Sequence, residues 1–302
     1  MSVDVLVGTS EGLRELGMVE RTHLDGREIT AMARHRSGWW AIGDGRTIQR
    51  SDAGGSWEEV AVVDRDGATC LAPVAAGVFV GTAGAHLLHL DERRRVTPVE
   101  PFETAAGRAD WYTPWGDPPD TRSISVAPTG AIYVNVHVGG VLRSADGGQT
   151  WTPTLDIEAD VHQVLAHPGR AGVILAAAAV GLGISEDGGG SWRFETTGLH
   201  ATYLRAVAVA GDTILVSAST GPRGRRAALY RRPLGLDRPF ERCQPGLPDW
   251  FGSNIDTFCL DAAGERVACG TDAGEVFAST DQGRHWRRLA KGLPPVQCLA
   301  IA

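Results

Sequence analysis

The octet Ser-Ala-Asp-Gly-Gly-Gln-Thr-Trp at residues 144–151 ends one apolar stretch and opens the next, and the chain repeats it. Relatives of it stand at 51–57 (SDAGGSW), 185–192 (SEDGGGSW) and 279–286 (STDQGRHW). The serines Ser51, Ser144, Ser185 and Ser279 are 93, 41 and 94 residues apart. One spacing is a single unit and two are double units, so worn copies belong in the long gaps. They are found at 84–95 (GAHLLHLDERRR), 227–236 (AALYRRPLGL) and 12–20 (GLRELGMVE), where the same strand pattern continues without the octet. The run DERRR at 91–95 reads as a solvated turn in the octet's place. A chain built this way folds as an array of seven similar units of about 40 to 50 residues.

Each unit reads as four short strands. TRSISVAP, GAIYVNVH, GGVLRSAD and QTWTPTLD form the clearest set, with alternating apolar residues and Gly/Asp turns. The 39 glycines of the 302 residues fit many turns, and no stretch has a helical period. The expected fold is all-β: a seven-bladed β-propeller of four-stranded antiparallel blades, one domain over 1–302. PVQCLAIA at the C-terminus matches other first strands, and VDVLVGTSEGL at the N-terminus matches second and third strands. The two ends should therefore share a blade and leave no free sheet edge.

The octet's residues have local work. The Asp side chain accepts backbone N–H groups of its own turn. Glycine supplies positive φ. Trp57, Trp151, Trp192 and Trp286 each bring a large ring with one N–H. The pattern S-x-D-x-G-x-x-W resembles the BNR or Asp-box repeat of sialidases, sortilin-type receptors and photosystem II assembly factors. The resemblance runs through the whole chain as repeats. It implies a propeller, with the box on the peripheral link between third and fourth strands. It does not imply sialidase activity: the Arg-Ile-Pro motif of sialidases is missing, and their propellers have six blades.

Function should then lie at the mouth of the central channel, where propellers meet ligands. Aligning the first strands puts Thr30, Thr69, Arg122, His162, Arg205, Asp256 and Gln297 in one leading column, all polar. Two positions on stand Met32, Leu71, Ile124, Val164, Val207, Phe258 and Leu299, all apolar. Between them lie small residues, where Cys70, Cys259 and Cys298 read as small buried hydrophobes rather than nucleophiles. Loops add Asn135, His137, Thr220, Arg223, His200, Tyr203, Trp250 and Asn254. An insertion at 108–120 adds Trp111, Tyr112 and Trp115, placed to cover a site.

Blades four to six therefore concentrate the polar groups. The expected function is a site for a small polar, anionic ligand: Arg122 and Arg205 pair with a carboxylate or phosphate, beside Tyr203, Asp256, Trp111, Tyr112 and Asn135. The alternative is a hydrolase or lyase with His137 and His162 as acid and base. A second alternative is a scaffold or assembly factor that docks a protein partner. No close-spaced motif supports a metal, even with His200 or Asp256 added, and no cofactor is indicated.

Bulk properties narrow the partners. A net charge of −7 argues against nucleic-acid binding. No run approaches the ~20 apolar residues of a membrane helix. Five cysteines without a C-x-x-C pair do not form a disulfide framework. The N-terminus shows no basic leader before an apolar run, so the expected location is cytoplasmic.

Overall fold

A computed structural model describes residues 3–35, 38–52, 55–64 and 66–302. The chain is a seven-bladed β-propeller of four-stranded antiparallel blades, with strands following one another in sequence order inside each blade. Blade one is the exception that was expected. Its strands are Val296–Ile301, Val5–Thr9, Gly12–Leu16 and Arg21–His23, with Val7 paired to Leu299. Both ends of the chain thus meet in one sheet. Blade four runs Thr121–Val126, Ile132–Val136, Gly140–Ser144 and Thr152–Leu155, matching the four segments read from sequence. Helix is confined, among the described residues, to Glu100–Glu103 and two single 3-10 turns.

The residues group into two compact units. One comprises Met1–Ile29, Ala177–Leu182 and Phe194–Ala302. Its core is built from second strands that are buried along nearly their whole length, such as Thr213–Ser219 and Arg266–Gly270, with Phe251, Phe277 and Trp286 filling the space around them. Continuous burial of both faces of a strand explains why its sequence does not alternate. The other unit comprises Thr30–Ala176 and Gly183–Arg193, and its large buried side chains include Tyr133, Phe102, Leu142 and Ile174.

Octet 144–151 shows how one turn organises this second unit. Ser144 Oγ donates to Asp146 Oδ1 at 2.8 Å and accepts the Gly148 N–H at 2.8 Å. Asp146 Oδ1 accepts the N–H groups of Gln149 and Thr150 at 3.0 and 2.9 Å. Hydrogen bonding from Thr150 and its neighbours holds the Asp146 carboxyl down at about 2. Gly148 takes φ of 96°, which glycine adopts without strain. The Trp151 ring is buried, donates its N–H to Gly148 O at 3.1 Å, and meets Phe79 of blade three edge-on at 6.5 Å. The copy at 279–286 repeats the set, including Trp286 N–H to Gly283 O at 2.9 Å. The other copies depart from it. Trp192 is half-buried and its N–H has no partner among the described residues, and Trp57 is half-buried. Ala53 and Gly54 of the first copy lie outside the described residues. In the worn unit at 84–95, Asp91 takes over the turn by accepting the N–H groups of Arg93 and Arg95, each at 2.9 Å.

The cysteines are all free and all buried. Cys70 Sγ lies 3.4 Å from the carbonyl of Thr121, at the start of the next blade. In the other unit Cys259 Sγ faces the carbonyl of Gln297 at 3.3 Å, and Cys298 Sγ that of Ile29 at 3.4 Å. Each thiol is a small hydrophobe with a weak donor aimed at the neighbouring strand. Burial pushes Cys70 and Cys243 up to about 12, and Cys259, Cys269 and Cys298 are raised further by the same cause.

Candidate functional site

The leading column has a structural origin. In blade three Ala68 pairs with Thr82 and Cys70 with Gly81, so Thr69 is an extra residue with no partner in the ladder. Arg122 sits the same way between Thr121 and Ser123 in blade four. Gln297 does so in blade one, and Arg205 and Ala206 together oppose one residue in blade six. These are β-bulges, which release a side chain from the ladder and re-aim it. Blade seven breaks the pattern. Phe258 has φ of 67°, and Gly270 N–H bonds to Cys259 O at 2.9 Å, so Cys259 takes the place that Cys70 has in blade three. The residue ahead of it is Phe258. Asp256 lies two residues further back on the incoming turn, so the column is not polar throughout: two extra residues in that turn displaced the alignment.

Blades four and five, within one unit, carry the first constellation. Asp160 ends the 3-10 turn Ile157–Ala159 with φ of 47°, in the left-handed region that Asp tolerates. Its carboxylate is the meeting point. His137 Nε2 lies 3.3 Å from Oδ1 and His162 Nε2 lies 3.7 Å from Oδ2. The two imidazole centroids are 6.4 Å apart. Burial opposes the carboxylate's charge. The hydrogen bond from His137 and the positive charges of His162, His137 and Arg122 outweigh burial and hold the Asp160 carboxyl below its usual range. His137 and His162 are 3% and 0% exposed, whereas the Asp160 side chain is 28% exposed. The group that reaches the surface is therefore Asp160, with half-buried Arg122 nearby. The proximity of His137 and His162 was readable from the repeat. Asp160, which organises them, was missed, because it belongs to a loop that the repeat does not predict.

Asn135 serves as a strut between strands. It is fully buried, accepts from Ser123 Oγ, and donates to Val161 O at 2.7 Å. The insertion divides its aromatic residues. Phe102, on the helix Glu100–Glu103 just before it, packs edge-on against Trp151 at 5.3 Å and tilted against Trp111 at 5.7 Å. Arg108 donates to Glu103 at 2.8 Å and lies 4.9 Å from the Trp111 ring. Trp111 is thus part of the anchor. Tyr112 and Trp115 are exposed, and the Trp115 ring lies 5.1 Å from His137. The anchored insertion holds an exposed indole over the histidine.

The remaining expected residues belong to the other unit. Arg205 Nε donates to Asp256 Oδ1 at 2.6 Å, and its Nη1 reaches Tyr203 Oη at 3.5 Å. Burial disfavours this guanidinium's charge, and Asp256 overcomes that cost and raises its pKa. His200 does not join the other histidines. It bonds Tyr230 Oη and Arg226 O, each at 2.9 Å. Among the described residues no group of three or more His, Cys, Asp and Glu has the geometry to hold a metal ion. Sequence reading also passed over a cavity of about 420 Å³ between blades two and three, walled by Trp39, Trp40, Arg50 and Asp91.

No family model matches the chain, and no curated protein does. Solved structures similar to it include an ancestral GH74 enzyme, with a TM-score of 0.67 and 14% identity over 95% of this chain and 40% of that one. The GH74 enzyme of Niastella koreensis gives 0.59 and 15%, over 96% and 43%. The computationally designed Ika8 protein gives 0.60 and 12%, over 96% and 86%. The chain spans about two fifths of the length of these GH74 enzymes. At such identities the likeness shows the propeller fold. No helix among the described residues is long and apolar enough to cross a membrane.

Proposed function

We propose that the chain is a ligand-binding propeller of the Asp-box type, with its site at the entrance to blades four and five. The ligand is a small molecule that carries both an anionic group and a hydroxyl. Arg122 takes the anionic group, the Asp160 carboxylate accepts the hydroxyl, and Trp115 covers both. His137 and His162 are positioning residues in this reading: they fix Asp160 and keep it ionised. The observation that carries it is the convergence of two buried imidazoles and one arginine's charge on a single part-exposed carboxylate. Such an arrangement is costly to bury and gains by completing its hydrogen bonds with a ligand.

Native mass spectrometry on protein purified without added ligand, followed by thermal-shift titration with hydroxycarboxylates such as malate and citrate, tests this. A bound mass or a shift that disappears in both Asp160→Asn and Arg122→Gln supports the reading. Binding that survives both substitutions removes it. Asparagine tolerates the same backbone conformation, so the first variant keeps the fold.

One observation favours a second reading as a hydrolase or lyase. Asp160 holds His137 from a left-handed φ of 47°, and His–carboxylate pairs are common in acid–base sites. That reading requires turnover which falls at least ~100-fold in His137→Gln. Binding without turnover excludes it.

A further inference from the structure

A second group of cations, in the unit that holds blade six, is unused by that site. The loop GPRGRR at 221–226 joins the second and third strands of blade six and contains Arg223, Arg225 and Arg226, all exposed. Its shape is fixed. Gly224 N–H bonds to Gly221 O at 2.9 Å, and Asn254 donates to Pro222 O at 3.2 Å. Directly after it, Ala227 and Phe251 exchange both backbone hydrogen bonds, at 3.2 and 2.9 Å. That bridge sets Arg226 beside Trp250. The Arg226 guanidinium carbon lies 4.5 Å from the Trp250 ring centroid, and that of Arg242 lies 4.1 Å from it. Two like charges thus share one indole. His200 lies tilted against the same ring at 4.7 Å and ties the Arg226 carbonyl to buried Tyr230.

These cations differ from their neighbours in one respect. Arg205, Arg231 and Arg232 each have a carboxylate, at 2.6, 3.6 and 3.0 Å. Arg223, Arg225, Arg226 and Arg242 have none within ion-pairing distance among the described residues. One Arg242 nitrogen is buried without any hydrogen-bond partner. The chain has 36 acidic against 29 basic residues, so two arginines without a carboxylate on one indole are not explained by a general excess of positive charge. Stacking on tryptophan orients a guanidinium but leaves its N–H edge open. The local positive field is also felt by His200, whose pKa is lowered first by burial and then by Arg242 and Arg226. Trp250 also lines a groove of about 300 Å³ with Phe251, Ser253, Asp272 and Glu275, whose carboxylates are engaged by Ser253 and Arg288; it is large enough for the uncharged body of a small molecule.

We infer that this is a phosphate site: the Arg226–Trp250–Arg242 stack binds the dianionic phosphoryl group of a small phosphate ester whose body lies in the adjoining groove. Planar guanidinium forks match phosphate oxygens in bidentate fashion, and a dianion answers several unpaired cations better than a single carboxylate does.

Isothermal titration with inorganic phosphate, and separately with acetate, at low ionic strength tests it. The wild-type protein should bind phosphate at millimolar concentration or below, and bind acetate at least about tenfold more weakly. Arg226→Gln, at an exposed position that leaves the fold intact, should weaken phosphate binding about tenfold, and so should Arg242→Gln. Asp160→Asn should leave it unchanged, which separates this site from the one at blades four and five. Equal affinity for acetate overturns the assignment to phosphate in favour of a carboxylate. Absence of binding, or binding untouched by Arg226→Gln, overturns the site itself.

Discussion

The carboxylate of Asp261, on the first strand of blade seven, accepts the backbone N–H of Ile301 on the closing strand of blade one at 2.8 Å. Burial pushes this carboxyl up to about 6. An unfolded aspartate titrates near 3.9, so the folded state holds the proton more tightly. The group therefore favours folding most at low pH, and its contribution is lost as pH rises from about 4 through about 6. Asp261→Asn keeps an acceptor for Ile301 and removes the buried charge. Urea midpoints should rise in the variant at pH 8 and barely change at pH 4. A midpoint difference independent of pH refutes the assignment.

The octet aspartates run the other way. Asp146, Asp187 and Asp281 are held at about 2, so the stability they confer is present above about 4 and lost as pH falls towards 2. Acid unfolding followed by tryptophan fluorescence should begin in that interval. A variant with all three changed to Asn should show a flatter profile there. An unchanged acid limb counts against the turn hydrogen bonds.

Copies of the octet differ in weight. Trp151 is buried against two phenylalanines, and Trp57 is half-buried. Trp151→Ala should cost about 3–5 kcal/mol in urea unfolding and Trp57→Ala less than half of that. Ser144→Ala, which leaves the Gly148 N–H without its acceptor, should cost about 1–2 kcal/mol. Equal losses at the two tryptophans contradict the packing described.

Thiol reactivity follows from burial. All five cysteines should resist a disulfide reagent at pH 8 in the folded protein, and all five should react in urea. Rapid labelling of even one in the folded state conflicts with the raised thiol pKa values.

The Arg205–Asp256 pair is short but half open to solvent at Asp256, whose side chain is 49% exposed. A double-mutant cycle with Arg205→Gln and Asp256→Asn should return less than about 1 kcal/mol of coupling. A larger value shows the pair to be structural.

Most of the fold was legible because the octet is a local device. Its Asp, Gly and Trp do their work within eight residues, so their spacing reports blade spacing directly. Closure was legible because Val296–Ile301 and Val5–Thr9 still look like members of the set. The site was legible only in part. Arg122, His137 and His162 stand out as polar residues at repeated positions. Asp160 stands in an unrepeated loop, and Phe258 in a turn with two residues too many, so neither follows from alignment of the repeats. The Arg226–Trp250–Arg242 stack joins a loop, a fourth strand and a connection between blades, and only the backbone bridge at Ala227 and Phe251 brings it together.

The bulges carry a consequence for how such a protein changes over generations. Thr69, Arg122 and Gln297 lie where the ladder has a spare residue, so replacing any of them removes no ladder hydrogen bond. Thr69 still lends its hydroxyl to Thr121 O on the next blade. The chemistry displayed there can be rewritten one blade at a time while the strand ladders that display it keep every bond.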